Sequence, residues 1–191
     1  METKEEIRNL LLSRRLSLGA EERGRLGRVI QERLLVSRLL EGVQTVGLYS
    51  PIKNEVETNL IFQKLGGRGL RVLYPRVGKA GIEFFKVSRL EDLSPGAWGI
   101  LEPKMEEKAR IAEIDVVLLP GVAFDECGYR IGFGKGFYDR VLEGFKGTTI
   151  GLAYEFQVVK KLPKNSGDVC CRWVVTEKRV ITSEGPRGGV L

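Results

Sequence analysis

The 191-residue chain contains no histidine. That absence removes Ser-His and Cys-His nucleophilic sites and every metal site that needs an imidazole ligand. Any catalysis must run on Lys, Arg, Tyr, carboxylates, backbone dipoles or a metal held by oxygen. Phosphoryl transfer is chemistry of that kind, because positioning and charge stabilisation dominate it. Cysteine is scarce as well. Cys127, Cys170 and Cys171 make an odd count with two adjacent, which suggests no disulfide framework and a reducing, cytoplasmic compartment. Without a histidine partner, a catalytic thiol is a poor candidate. No apolar run approaches the ~20 residues of a membrane span. The charged start METKEEIRNLL carries no secretory h-region.

What is present reads as a soluble globular chain, with 42% apolar and 29% charged residues. Its length suits one α/β domain with a sizeable core. The net charge of +6 favours an anionic partner, either a nucleotide-sized ligand or nucleic acid. The excess is spread along the chain and does not itself argue for nucleic acid.

The most informative stretch is 118–142. Ile114, Val116, Val117, Leu118 and Leu119 read as a buried strand. Pro120-Gly121 stops it, and a loop follows with glycines at 128, 132, 134 and 136. Tyr138, Val141, Leu142 and Phe145 then fall at i, i+3, i+4 and i+7, one face of a helix, with Gly144 near its end. Strand, glycine-rich loop and helix together suit a phosphate, since glycines let backbone N–H groups approach an anion and a helix N-terminus adds a positive dipole end. Arg130 and Lys135 add charge, and Asp139 in the first helical turn could hold magnesium. Neither standard nucleotide motif is present: Gly136 follows Lys135 where a P-loop needs Ser or Thr, and Phe137 replaces the third glycine of a dinucleotide fingerprint. On spacing alone, a glycine turn without a ligand is equally compatible.

Elsewhere, Thr3 and Glu6 form a capping-box pattern, and Ile7, Leu10, Leu11 and Leu18 mark an apolar helix face. Lys4 and Arg8 share another face, by themselves an ordinary solvated one. A second helix is expected over 20–40, its stripe Leu26, Val29, Ile30, Arg33, Leu34 and Ser37 packing on the core. A strand over 43–50 leads to a third helix capped by Thr58 or Asn59. Glu55 and Glu57 lie just before that helix, at a strand's C-terminal edge, where open α/β sheets bind ligands. Further strands are expected over 70–74, closed by Pro75, then 82–87, 113–119, 147–154 and 173–176. Turns are expected at 78–81, loop at 90–94, loop or a helical turn at 104–112, a short helix at 156–162 stopped by Pro163, and a frayed tail from 183.

The run PGVAFDECGYRIGFGKGFYDR resembles the signature of the 5-formyltetrahydrofolate cyclo-ligase family, roughly P-G-x-A-F-D-x-x-G-x-R-L-G-x-G-x-G-Y-Y-D. Phe133 stands where some members carry a basic residue, and Phe137 keeps a tyrosine's ring without its hydroxyl. The family's N-terminal Lys and Arg on ATP match Lys4 and Arg8. Its E-x-x-T element matches Glu55 to Thr58, which implies folate contact for Glu55, with Glu57 second and Tyr49 or Ser50 in the same pocket. Its G-I-x-E-P element matches Gly99 to Pro103. Beside it, Trp98 could stack on the pterin or simply anchor a loop. Near the C-terminus, Gly167 replaces a His and Arg172 an acid. Asp168 keeps the first acid, as a second magnesium ligand or as a turn cap.

The resemblance spans Lys4 to Glu177. The alternation of strands and helices implies an α/β fold, a single domain over 1–182 with a mostly parallel, Rossmann-like sheet and helices on both faces, and the Gly/Pro-rich 183–191 stretch a flexible tail. The resemblance carries the function. It implies ATP-dependent cyclisation of 5-formyltetrahydrofolate to 5,10-methenyltetrahydrofolate with Mg2+, by a cytoplasmic monomer with no nucleic-acid or membrane partner. Lys135, Arg130 and Tyr138 would be catalytic. ATP would lie against Lys4, Arg8, Arg130, Ile131, Gly132, Phe133, Gly134, Lys135, Gly136, Phe137 and Tyr138. The folate would meet Tyr49, Ser50, Glu55, Trp98, Phe133, Gly134, Lys135, Gly136 and Phe137, and the metal Asp139 and Asp168. Two other readings stay open: a non-catalytic nucleotide- or nucleic-acid-binding module, and a phosphosugar isomerase or transferase on a related scaffold.

Overall fold

Thr3 opens the first helix with the expected reciprocal cap. Its hydroxyl accepts from the Glu6 N–H, and the Glu6 carboxylate accepts from the Thr3 N–H. The computed structural model describes residues 2–78, 81–104 and 107–183. Helix α1 (Lys4–Leu16) buries Ile7, Leu11 and Arg15, one face at i, i+4 and i+8. Leu10 faces solvent, and Leu18 lies beyond the helix. Helix α2 (Ala20–Val36) stops short of the expected Leu40 because Ser37 turns extended and its hydroxyl caps a separate 3-10 turn over Arg38–Leu40.

After β1 (Thr45–Gly47) comes α3 (Asn59–Gly67). Thr58 is the N-cap by position, but its hydroxyl bonds elsewhere, to the Tyr49 carbonyl at 3.0 Å. Gln31 of α2 supplies the missing acceptor, its Oε1 lying 3.0 Å from the Leu60 N–H. Strand β2 (Arg71–Gly78) does not stop at Pro75. It pairs with β1 only as far as Leu73, so a proline two residues later breaks no bond on that edge. β3 (Gly81–Lys86) pairs antiparallel with β2. The middle of the expected 78–81 turn, residues 79–80, lies outside the described residues. So do 105–106 of the 104–112 segment and 184–191 of the expected tail.

The segment expected as loop at 90–94 holds a 3-10 turn and β4 (Leu93–Pro95), paired with β5 (Leu101–Pro103). Short strand β6 (Lys108–Ala109) follows, then β7 (Val116–Leu119), β8 (Ala123–Asp125) and β9 (Arg130–Ile131). Helix α4 spans only Phe137–Val141. The expected face still forms, since Leu142 and Phe145 are buried although the helix has ended. β10 (Thr148–Leu152) precedes a 3-10 turn and β11 (Val158–Val159), which stand where a short helix was expected. β12 (Trp173–Val175) and an unanticipated β13 (Val180–Thr182) close the described chain.

The main sheet runs β13-β12-β10-β7-β1-β2-β3-β6. Its five inner strands, β12 to β2, are parallel, and the three outermost join antiparallel. Along β7, Val116 and Leu118 face one core with α2 and α3, while Val117 and Leu119 face another with Leu142 and Phe145. The fold is therefore the expected mostly parallel α/β sheet, with α2 and α3 on one face and α4 on the other. A smaller sheet, β11-β8-β9, packs through Val122, Ala123 and Ile131 on Ile7 and Leu11 of α1. That packing sets the N-terminal cations beside the glycine loop. Among the described residues no helix is long and apolar enough to cross a membrane.

Candidate active site

A cavity of about 960 Å³ opens where β1 and β7 end. Apart from the second-choice Glu57, every residue singled out from the sequence as a ligand contact lines it. Lys4 and Arg8 come from α1. Tyr49, Ser50 and Glu55 follow β1. Trp98 stands before β5, the run from Arg130 to Asp139 forms the loop and α4, and Asp168 precedes β12.

One end of the cavity gathers cations beside the glycine loop. Arg8 Nε donates to the Gly132 carbonyl at 2.8 Å, and the guanidinium lies 3.6 Å from where a Cβ at Gly134 would sit. Gly134 and Gly136 have φ of +88° and +62°, the left-handed region that favours glycine. Lys135 is exposed on the wall, and its ammonium makes no bond among the described residues. α4 is barely one turn, so little of the charge here comes from a helix dipole.

Arg130 is buried. It donates to the Val169 carbonyl at 2.8 Å and lies 3.1 Å from Asp139 Oδ1. The same carboxylate oxygen accepts from the Val169 N–H at 3.2 Å. Asp168 lies 2.5 Å from Lys4 Nζ and accepts from the Asn165 N–H at 2.7 Å. Burial pushes the Asp168 carboxyl up, but the Lys4 and Asn165 bonds outweigh it and hold the group below its usual range. Among the described residues, no three acidic or thiol side chains gather into a metal cage.

The opposite end is drier. Tyr49 is buried, with its hydroxyl donating to the Val56 carbonyl at 2.7 Å. The Ser50 hydroxyl donates to the Leu101 carbonyl and so ties this loop to β5. Glu55 is only 4% exposed, accepts from the Ile52 N–H at 3.0 Å and stands 3.7 Å from Arg15. Desolvation lifts its carboxyl to about 7, against the pull of Arg15, Ile52 N–H and Lys53. Glu57 is the poorer candidate, since it does not line the cavity. Burial first, and then the Glu55 charge, raise the Tyr138 phenol far above its ordinary value. Tyr138 is thus an O–H donor at neutral pH. Trp98 is 66% exposed, in a left-handed conformation at φ 55°, with its ring 5.7 Å from Phe137.

A family model of the 5-formyltetrahydrofolate cyclo-ligase family matches residues 1–177. The chain belongs to the 5-formyltetrahydrofolate cyclo-ligase family. The 5,10-methenyltetrahydrofolate synthetase of Aquifex aeolicus shares 37% identity and superposes with a TM-score of 0.87, over 98% of this chain and 96% of that one. The synthetase of Mycoplasma pneumoniae shares 28% identity at a TM-score of 0.76, over 92% and 99%. A cyclo-ligase of Mycolicibacterium smegmatis is 32% identical over 95% of this chain and 97% of its own.

Seen as a cyclo-ligase, the chain's departures from the motif fall in two groups. Phe133 takes part in the site. Its ring carries Lys53 Nζ at 4.8 Å and the Arg15 guanidinium at 5.9 Å, so cations stand over the ring where some members have a basic residue. Gly167 and Arg172 are exposed and do not line the cavity. Sequence reasoning missed Lys53, Glu102 and Asn165 on the wall, and Arg15 behind it. For Arg15 a signal existed, since it continues the Ile7-Leu11 face of α1.

Proposed function

We propose that this chain cyclises 5-formyltetrahydrofolate to 5,10-methenyltetrahydrofolate while converting ATP to ADP and phosphate. The observation that carries this reading is the meeting of N-terminal cations, glycine loop and buried Glu55 around one cavity, in a chain of this family. Neither a non-catalytic binding module nor a phosphosugar enzyme is favoured, because neither accounts for a cationic end and a dry, acceptor-bearing end side by side.

Lys135, Arg130, Lys4 and Arg8 hold the phosphates, together with loop N–H groups over 132–136 and the surrounding Ile131, Phe133, Phe137 and Tyr138. Glu55, a buried acceptor, suits the N–H donors of the pterin, with Tyr49, Ser50 and Trp98 shaping that end. The formyl oxygen attacks the γ-phosphorus and the bond to ADP breaks. The N10 lone pair then attacks the activated carbon, the N10 proton passes to water, and phosphate leaves with the original formyl oxygen. No protein nucleophile is required, in keeping with the absent histidines. Lys135 and Arg130 stabilise the charge on the transferring group.

The donor set fits magnesium. Asp139 and Asp168 are hard oxygen donors, and magnesium commonly takes one or two carboxylates beside phosphates and water. Those two residues would hold it, and it would neutralise phosphate charge. We read 1–182 as one folding unit that works as a cytoplasmic monomer without nucleic acid. Purified protein mixed with 5-formyltetrahydrofolate, ATP and magnesium should raise the methenyl absorbance, and omission of either ATP or magnesium should abolish the rise. A folded protein that forms no product overturns this reading.

A further inference from the structure

Arg15 does not line the cavity, yet it is fully buried behind it. Its Nε donates to the Lys53 carbonyl at 2.9 Å and its Nη1 to the Gly121 carbonyl at 2.8 Å. Nη2 has no hydrogen bond among the described residues and stands 3.7 Å from Glu55 Oε1. A guanidinium is not deprotonated in proteins, so this is a permanent charge set in a dry place.

The segment it holds is strained. Lys53 and Asn54, consecutive and neither of them glycine, sit at φ 48° and 62°. Such a conformation persists only where its surroundings over-determine it. Here Asn54 donates back to the Arg15 carbonyl at 3.2 Å, and Arg23 donates to Asn54 at 2.9 Å. Glu55 is the next residue. The groups facing it are Arg15 of α1, Lys53 of its own loop, Tyr49 after β1 and Tyr138 of α4. Of these, Arg15 is the buried cation.

We infer that Arg15 is a positioning residue for the folate end of the site. It pins the 53–55 turn to α1 and to Gly121, and it sets a fixed positive charge 3.7 Å from Glu55 without touching substrate. This rests on the proposed role of Glu55, and its test separates the two.

The variants are Arg15→Gln and Arg15→Lys, with Glu55→Gln as reference. Glu55 is titrated in substrate-free protein by 13C NMR of labelled glutamate carboxyls, its signal assigned by loss in Glu55→Gln. KM for each substrate and the pH profile of kcat/KM for the folate are measured alongside. Arg15→Gln should move the Glu55 titration up by about one pH unit or more, the scale of an opposite charge a few ångströms away. The acid limb of the folate profile should move with it. KM for the folate should rise roughly tenfold, with KM for ATP within about twofold.

Arg15→Lys keeps the charge and loses the fork, so Glu55 should titrate near its wild-type pH while KM for the folate still rises. An unchanged Glu55 titration in Arg15→Gln, or equal increases in both KM values, overturns the inference. If Arg15→Gln does not fold, the KM split in Arg15→Lys decides, and an equal change in both sinks it. If the wild type does not act on the folate, the reading of function fails, while the NMR titration still decides whether Arg15 controls Glu55.

Discussion

Lys4 Nζ of α1 lies 2.5 Å from Asp168 Oδ2, across 164 residues of chain. A cation proposed for phosphate and a carboxylate proposed for magnesium thus satisfy each other. Both are partly exposed, so the pair contributes at most about 1 kcal/mol to stability. Lys4→Ala should therefore leave the melting temperature nearly unchanged and raise KM for ATP by roughly five- to tenfold. Steady-state kinetics with either substrate varied checks this, and KM for the folate should stay within about twofold.

Lys135 is the cleanest probe of the phosphate loop, because its exposed ammonium supports nothing else among the described residues. Lys135→Ala should lower kcat by about 10²–10³-fold, the usual scale for losing one charge-stabilising donor. Thermal unfolding should not change. A variant that turns over at near wild-type rate removes the loop from the mechanism.

The loop's share of the cavity wall was legible in the glycines and cations of 130–139, whereas Lys4 and Arg8 stood out only through the family resemblance, since their i, i+4 spacing alone reads as a solvated face. The parallel core was legible for a related reason: buried strands such as β7 are continuous apolar runs. What escaped depended on distant partners. Gln31 took the capping role expected of Thr58 or Asn59 because α2 delivers an acceptor to the start of α3. Residues near 158 formed a strand because β8 lies alongside to pair with them. β4, β6 and β13 are two or three residues long and exist by pairing, which no local pattern announces. Arg15 went unread because charged side chains are almost never fully buried, whereas here it is the buried continuation of the Ile7-Leu11 face.

Glu55 gives the activity and the stability opposite pH trends. Its carboxyl sits at about 7 through desolvation, above its unfolded value, so the folded state favours the protonated form. The favourable contribution is present below the unfolded value and is lost as pH rises through about 7. Wild type should lose stability relative to Glu55→Gln between pH 5 and 8, by about 1–3 kcal/mol. In the same window kcat/KM for the folate should rise, as the acceptor ionises. Urea unfolding and initial rates across pH check the two halves.

Two glycines should behave oppositely. Gly128 has φ +80°, and a Cβ there would lie 2.1 Å from the Cys171 carbonyl oxygen. Gly128→Ala should cost more than about 2 kcal/mol, through strain and backbone collision. Gly167 meets nothing within 4 Å. Gly167→Ala should change stability by no more than about 0.5 kcal/mol. Chemical denaturation of both checks the pair.

In the proposed reaction the formyl oxygen attacks the γ-phosphorus in the cavity between Lys135 and Glu55. The most direct measurement uses 5-formyltetrahydrofolate labelled with 18O in the formyl group, with ATP and magnesium. Mass analysis of the released phosphate should find one 18O per methenyl product formed. Product with unlabelled phosphate would mean that ATP is hydrolysed apart from the cyclisation, and would contradict the mechanism derived from this site.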